Sequence, residues 1–128
     1  MPPTPPRCFI TLPDVNWVGF YFLKGAELVL GPFQGQPACV RIAMGKGVCG
    51  TAAERRASVL VPDVNEFPGH IVCDSASRSE LVVPLVRNGE LIGVLDLDSA
   101  SLARFEEADR IGCEKLAAIY LDSVTSKE

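Results

Sequence analysis

Glu80-Leu81-Val82-Val83-Pro84-Leu85-Val86-Arg87-Asn88-Gly89-Glu90-Leu91-Ile92-Gly93-Val94-Leu95-Asp96-Leu97-Asp98 decides the fold. It reads as two strands, Leu81 to Val86 and Leu91 to Asp98, joined across Arg87-Asn88-Gly89-Glu90, because Asn-Gly between apolar runs is a strong hairpin signal. Two registers are open. If Asn88-Gly89 is a plain two-residue loop, Glu80 faces Leu97 and lies on the opposite side of the sheet from Asp96 and Asp98. If the loop has three residues, with Gly89 left-handed in a bulge, Glu80 lies opposite Asp96, and Val82, Val94, Asp96 and Asp98 share its face. The odd face, made of Leu81, Val83, Leu85, Leu91, Leu95 and Leu97, is then apolar apart from Gly93. We take the bulged register, since it buries one clean face and gathers three carboxylates on the other.

Just before this hairpin runs Asp63 to Glu80, a connection long enough to predict a functional loop or lid. It carries Cys73 and the one histidine of the chain, His70. A loop thiol can react, and an imidazole three residues away can help hold it as thiolate or simply be solvated.

Toward the N-terminus, residues 1–14 hold five prolines (MPPTPPRCFITLPD), which forbid helix and predict an extended stub. A single domain is expected over 15–128. Val15 to Leu23 alternates as a strand with Trp17, Gly19 and Tyr21 on one face, and Glu27 to Leu30 pairs back across Lys24-Gly25-Ala26. Trp17 and Tyr21 read equally well as core or as the floor of a ligand pocket, with Gly19 leaving a gap between them. Gly31 to Pro37 reads as a loop, and Ala38 to Ile42 as a short strand bearing Cys39. Gly45-Lys46-Gly47 turns into a helix over about Val48 to Arg56, with Cys49 in its first turn. There the helix dipole favours thiolate, while burial as a small apolar residue is the competing reading. Ser58 to Pro62 is a further strand. A last helix begins at Ser101, with Phe105, Ala108, Ile111, Leu116, Ile119 and Tyr120 as its apolar face and Cys113 as a bystander. Strands, helix, strand, long loop, hairpin and closing helix make an α+β fold with a largely antiparallel sheet flanked by helices.

Of the 128 residues 48% are hydrophobic and 22% charged, the balance of an ordinary globular domain. A net charge of -4 without any basic stripe argues against nucleic acid and acidic membrane surfaces. No apolar run approaches a membrane span, and the N-terminus lacks the basic and apolar regions of a signal peptide, so a cytoplasmic protein is expected. Five cysteines in that setting predict thiols reduced at rest and any disulfide as redox-linked. Cys39, Cys49 and Cys73 match no usual zinc spacing, although His70 and Cys73 could supply two ligands, so no metal site is expected.

The runs NWVGFY, LVLGPFQGQPACVRI, GKGVCGTAA, VPDVNEFPGHIVCDSASRSELVVPLV and GELIGVLDLDS closely resemble the free methionine-(R)-sulfoxide reductases, a catalytic branch of the GAF-domain family, over about Leu12 to Asp122. The resemblance implies a GAF-like fold and reduction of free methionine-(R)-sulfoxide to methionine. It makes Cys73 the nucleophile, Cys39 the resolving thiol that forms a disulfide with it, and Cys49 an auxiliary or alternative resolving thiol. Glu80, Asp96 and Asp98 match the acids around the substrate, and Trp17 and Tyr21 the aromatic wall against its methyl group. Thioredoxin is implied as reductant, with no metal or organic cofactor. Family members carry a longer helical N-terminal region that covers one sheet face and contributes to a homodimer; a proline-rich stub stands there in this chain. A ligand-sensing GAF module and a thiol redox switch are the alternative functions.

The chemistry asks for these groups. A sulfoxide oxygen leaves only when protonated, so a neutral carboxylic acid must donate as the thiolate attacks sulfur. Clustered carboxylates raise one another's pKa and keep one protonated. Glu80 or Asp98 is the expected donor, with an ionised Asp96 pairing with the ligand's ammonium group.

Overall fold

The computed structural model describes residues 13–69 and 77–125; the first twelve residues of the proline-rich stub, His70 and Cys73 lie outside the described residues. The described chain forms strands β1 (Trp17–Lys24), β2 (Glu27–Gln34) and β3 (Arg41–Ala43), helix α1 (Gly47–Arg55), strand β4 (Val59–Val61), a 3-10 turn at Val64–Glu66, the hairpin β5 (Ser79–Arg87) and β6 (Glu90–Ser99), and helix α2 (Glu107–Thr125). The strands make one antiparallel sheet in the order β3-β2-β1-β6-β5-β4. β1 lies between β2 and β6, so it is closed on both sides. Pro84 sits on β5 beyond the reach of β4, which pairs only with Glu80 to Val82. Its missing N–H is tolerated at an open edge.

Alternation along β1, β5 and β6 builds two cores, one on each side of the sheet. One face carries Val18, Phe20, Leu81, Val83, Leu85, Leu95 and Leu97 with Phe105, Cys113 and Ala117 against it. The other carries Trp17, Tyr21, Leu28, Val82 and Val94 beneath Val48, Cys49, Ala52 and Ala53 of α1. Each large apolar side chain so buried contributes about 1.5–3 kcal/mol. The expectation of one clean apolar face is met, but the opposite face is also covered, and the carboxylates on it are buried rather than solvated.

The hairpin register differs from both expected forms. Asn88 (φ 52°) and Gly89 (φ 80°) form a two-residue turn, with Arg87 opposite Glu90, because positive φ at both central positions matches the right-handed strand twist. The extra residue sits further along: Leu85 pairs with Gly93 and Val86 with Leu91, which leaves Ile92 bulged. From there the ladder places Glu80 opposite Asp98, not Asp96, and Val82 opposite Asp96. One inserted residue restores the parity that a plain loop would have lost, so Glu80, Asp96 and Asp98 still share a face. The bulge also turns Leu91 away from its expected face, into the core under α1, and Ile92 takes the place on the α2 side.

Other boundaries shift for local reasons. β2 continues to Gln34 through Gly31 and Pro32, where a loop was expected, because Val18 and Gly19 pair with Gln34 and Phe33. Cys39 therefore falls in the connection before β3 rather than on a strand. α2 starts at Glu107, not Ser101. The serines upstream hold a turn instead: Ser79 Oγ donates to Ser101 O (2.6 Å), Ser99 Oγ accepts from Ser101 N (3.0 Å), and Ala103 takes φ 51°. Asp109 then caps the helix by accepting from Glu106 N at 2.8 Å. The expected apolar face of the closing helix holds at Phe105 and Tyr120 and fails at Ala108, Ile111, Leu116 and Ile119. Phe105, Cys113, Ala117, Tyr120 and Leu121 face the sheet, whereas Ile111, Leu116 and Ile119 are exposed. Cys113 is thus a core residue.

Candidate active site

Three neighbouring strands bring the acids and the indole into one row. Trp17 on β1 is directly opposite Asp98 on β6, and Asp98 is directly opposite Glu80 on β5. The next row of the same face is Gly19, Asp96 and Val82. Directly opposed residues lie about 5 Å apart between strands, so the carboxylates meet without help from any loop. All three are buried, at 7%, 5% and 8% exposure for Glu80, Asp96 and Asp98.

Over this row sits the first turn of α1. Gly47-Val48-Cys49-Gly50 enters the helix with small residues that allow a close approach; a side chain at Gly50 would meet the carbonyl of Ala43. Cys49 Sγ reaches Glu80 Oε2 at 3.9 Å, and one ligand atom from each of Cys49, Glu80 and Asp96 falls within 4.8 Å of the others. Asp96 Oδ1 is buried and has no hydrogen-bond partner among the described residues.

Burial decides the protonation states. Desolvation, then the Asp98 charge, pushes Asp96 from 3.8 up to about 8. Desolvation, then Asp96, raises Glu80 well above the ordinary carboxylate range. Removal from water therefore contributes more than the mutual repulsion expected from sequence, and both groups hold protons at neutral pH. An already ionised Asp96 is not what this site holds. Cys49 is raised too, by burial and then by Asp96. The helix N-terminus does not make it a thiolate, and the packed, protonated thiol is the reading the geometry supports.

The aromatic pair belongs to the core. Trp17 and Tyr21 are each 1% exposed, and the Trp17 ring stacks on Tyr21 (6.1 Å, 27°) and on Phe33 (5.6 Å, 16°). The gap expected over Gly19 is filled by the Trp17 ring itself. Their polar ends brace the segment before β3: Trp17 Nε1 donates to Gln36 O (2.9 Å), and Tyr21 Oη donates to Cys39 O (2.8 Å). Gly35 (φ 132°) lets that backbone pass against the indole. This bracing escaped the sequence, since partners 18 and 19 residues apart leave no local signal. Cys39 itself packs against the same core and is disulfide-bonded, whereas Cys49 is a buried free thiol. Tyr21→Phe is expected to cost about 1–2 kcal/mol in a urea unfolding curve, because a half-buried carbonyl loses its donor. A loss under about 0.3 kcal/mol would show that the bond contributes nothing.

The model of the GAF domain matches residues 5–119, nearly the whole chain. The chain belongs to the GAF domain family. Among relatives of this GAF domain, the free methionine-R-sulfoxide reductase of Escherichia coli is 54% identical over 107 residues, covering 84% of this chain and 65% of that protein. A solved free methionine-R-sulfoxide reductase from Neisseria meningitidis, in complex with its substrate, superposes with a TM-score of 0.84 at 50% identity, covering 87% of this chain and 68% of that one. A protein from Burkholderia vietnamiensis, proposed to be a GAF sensor, superposes with a TM-score of 0.85 at 60% identity over 88% of this chain and 72% of that one. The GAF domain described here spans 62% and 65% of the length of the first curated relatives it matches. Among the described residues no helix is long and apolar enough to cross a membrane.

Proposed function

We propose that this GAF domain reduces free methionine-(R)-sulfoxide to methionine, with Cys73 as the nucleophile. The observation that carries the reading is the buried row of Glu80, Asp98 and Trp17, with Asp96 beside it. Glu80 and Asp96 keep their protons at neutral pH, and a sulfoxide oxygen needs a proton to leave as hydroxide or water. The named activity of the Escherichia coli and Neisseria meningitidis relatives supports the same reading.

In this scheme the Cys73 thiolate attacks the sulfoxide sulfur while Glu80 or Asp98 protonates the oxygen. The S–O bond breaks and the protonated oxygen leaves as hydroxide while the Cys73 sulfur is bonded to the substrate sulfur; hydroxide then attacks Cys73 Sγ, the sulfur–sulfur bond breaks to release methionine, and Cys73 ends as a sulfenic acid, oxidised by two electrons. The Cys39 thiol displaces water from that sulfenic acid to form the Cys73–Cys39 disulfide, and a dithiol reductant restores both thiols by exchange. Cys49 is an auxiliary thiol. The substrate's ammonium group pairs with Asp96, whose proton it expels, since an arriving cation reverses the shift that burial imposed. Trp17 and Tyr21 shape the wall against the methyl group. Thioredoxin as the dithiol and a homodimer are parts of the reading that rest on the resemblance alone, and a cytoplasmic setting and a catalytic domain bounded at 15–128 are parts that rest on the sequence pattern.

The test is to mix the full chain with free methionine-(R)-sulfoxide and dithiothreitol and to follow methionine. Production is expected, absent in Cys73→Ser and lowered about a hundredfold or more in Glu80→Gln. Sulfoxide binding without product would favour the sensor, and disulfide formation under peroxide alone, with no turnover, the redox switch. Replacing dithiothreitol with thioredoxin and its reductase tests the physiological reductant.

A further inference from the structure

The geometry points to a second ligand class for the buried trio of Cys49, Glu80 and Asp96: we propose that it binds a thiophilic divalent cation of the zinc type, in competition with the amino-acid ligand. The competition rests on the reading of Asp96 given under Proposed function; the cation site itself does not.

Three donors from three rigid elements, α1, β5 and β6, converge within 4.8 Å of one another. A tetrahedral zinc ion with bonds of about 2.3 Å to sulfur and about 2.1 Å to oxygen holds those atoms about 3.6 Å apart. The Cys49 Sγ to Glu80 Oε2 distance is 3.9 Å, so the pair needs to close by only a few tenths of an ångström. An independent observation points to a ligand. Asp96 Oδ1, in a side chain 5% exposed, accepts no hydrogen bond among the described residues, and a buried acceptor left so costs about 1–3 kcal/mol unless something fills it.

Donor chemistry selects the ion. One sulfur with two carboxylates suits zinc or cobalt(II), whereas magnesium and calcium require six or more oxygens and take no thiolate. Three protein ligands leave a fourth position for water, the arrangement of an open zinc site. Binding exchanges the protons of the thiol and the two carboxyl groups for the cation and releases them to solvent. Affinity therefore rises with pH.

The test titrates cobalt(II) alone into the full chain under a non-thiol reductant. One equivalent is expected to bind and to give a near-ultraviolet thiolate-to-cobalt charge-transfer band, which zinc then abolishes by displacement. The band should vanish in Cys49→Ala. It should require about tenfold or more cobalt in Glu80→Gln and in Asp96→Asn. It should persist when Cys8, Cys39 and Cys73 are together replaced by serine. A band retained in Cys49→Ala, or lost in a triple variant that still folds by circular dichroism, overturns the site. Free methionine-(R)-sulfoxide should raise the cobalt concentration needed. A Cys49-dependent band that the sulfoxide leaves unmoved, in a protein that makes no methionine, keeps the cation site and sinks the reductase reading. Methionine formation without any Cys49-dependent band does the reverse.

Discussion

Gly93→Ala is expected to destabilise the fold by about 4 kcal/mol or more, and in many conditions to leave it unfolded. Gly93 lies inside the sheet, paired with Phe22 on β1 and with Leu85 on β5. A methyl group there would fall 2.0 Å from the carbonyl oxygen of Tyr21 and 2.9 Å from Cα of Phe22. Both obstacles are backbone, so no rotamer change relieves the clash; β1 and β6 must separate or the Ile92 bulge must dissolve. Either movement disturbs the ladder that carries Asp96 and Asp98. Gly112, with open space around it and no left-handed φ, is the control for glycine entropy. Gly93→Ala melting within about 1 kcal/mol of the parent chain would show that the sheet yields where the geometry says it cannot.

Stability should fall as pH rises from 4 to 8, and Asp96→Asn should flatten much of that slope. The folded protein holds the Asp96 proton up to about pH 8, whereas the unfolded chain releases it near 3.8. Between these values the folded state binds more protons, so the contribution is complete below the lower pH and is lost through the upper one. A shift of this size corresponds to something on the order of 5 kcal/mol. Asparagine keeps the shape and cannot titrate, so the variant should be the more stable chain at pH 8 by a few kcal/mol, while losing affinity for the amino-acid ligand. Glu80, raised in the same direction, leaves a residual slope. Chemical denaturation at several pH values reads this directly, and a parent chain whose stability is level from pH 4 to 8 would contradict the buried, protonated acids.

How far the sequence was legible depends on the range of the interactions involved. Asn88-Gly89 announced the hairpin because turn chemistry is local, and alternation from Leu81 to Leu97 announced which side faces the core. The bulge at Ile92 could not be read, since it depends on the packing of Leu91 and Ile92 into opposite cores, although its effect on parity was anticipated through a different device. The face of α2 was misjudged in part because Ile111, Leu116 and Ile119 carry the same spacing as a buried stripe, and only the contacts made by Cys113 and Ala117 discriminate between the two. For the site, chain order put Glu80, Asp96 and Asp98 on one hairpin, so their meeting was visible. Cys49 reaching Glu80 across 31 residues, and the Tyr21 brace on Cys39, arise from the stacking of α1 and the 35–39 segment over the sheet, which no local pattern encodes.

The single unpaired residue at Ile92 acts as a phase shifter between two incompatible solvents. On one side of the sheet lie leucines beneath α2, and on the other lie three acids beneath α1. Because side chains alternate strictly along β6, any one-residue gain or loss between the turn and Asp96 would exchange those environments wholesale and drive carboxyl groups into hydrocarbon. Length variation between the turn and Asp96 is therefore confined to even steps, whatever residues fill it. A designer who transplants the acid row onto another sheet must carry this offset with it.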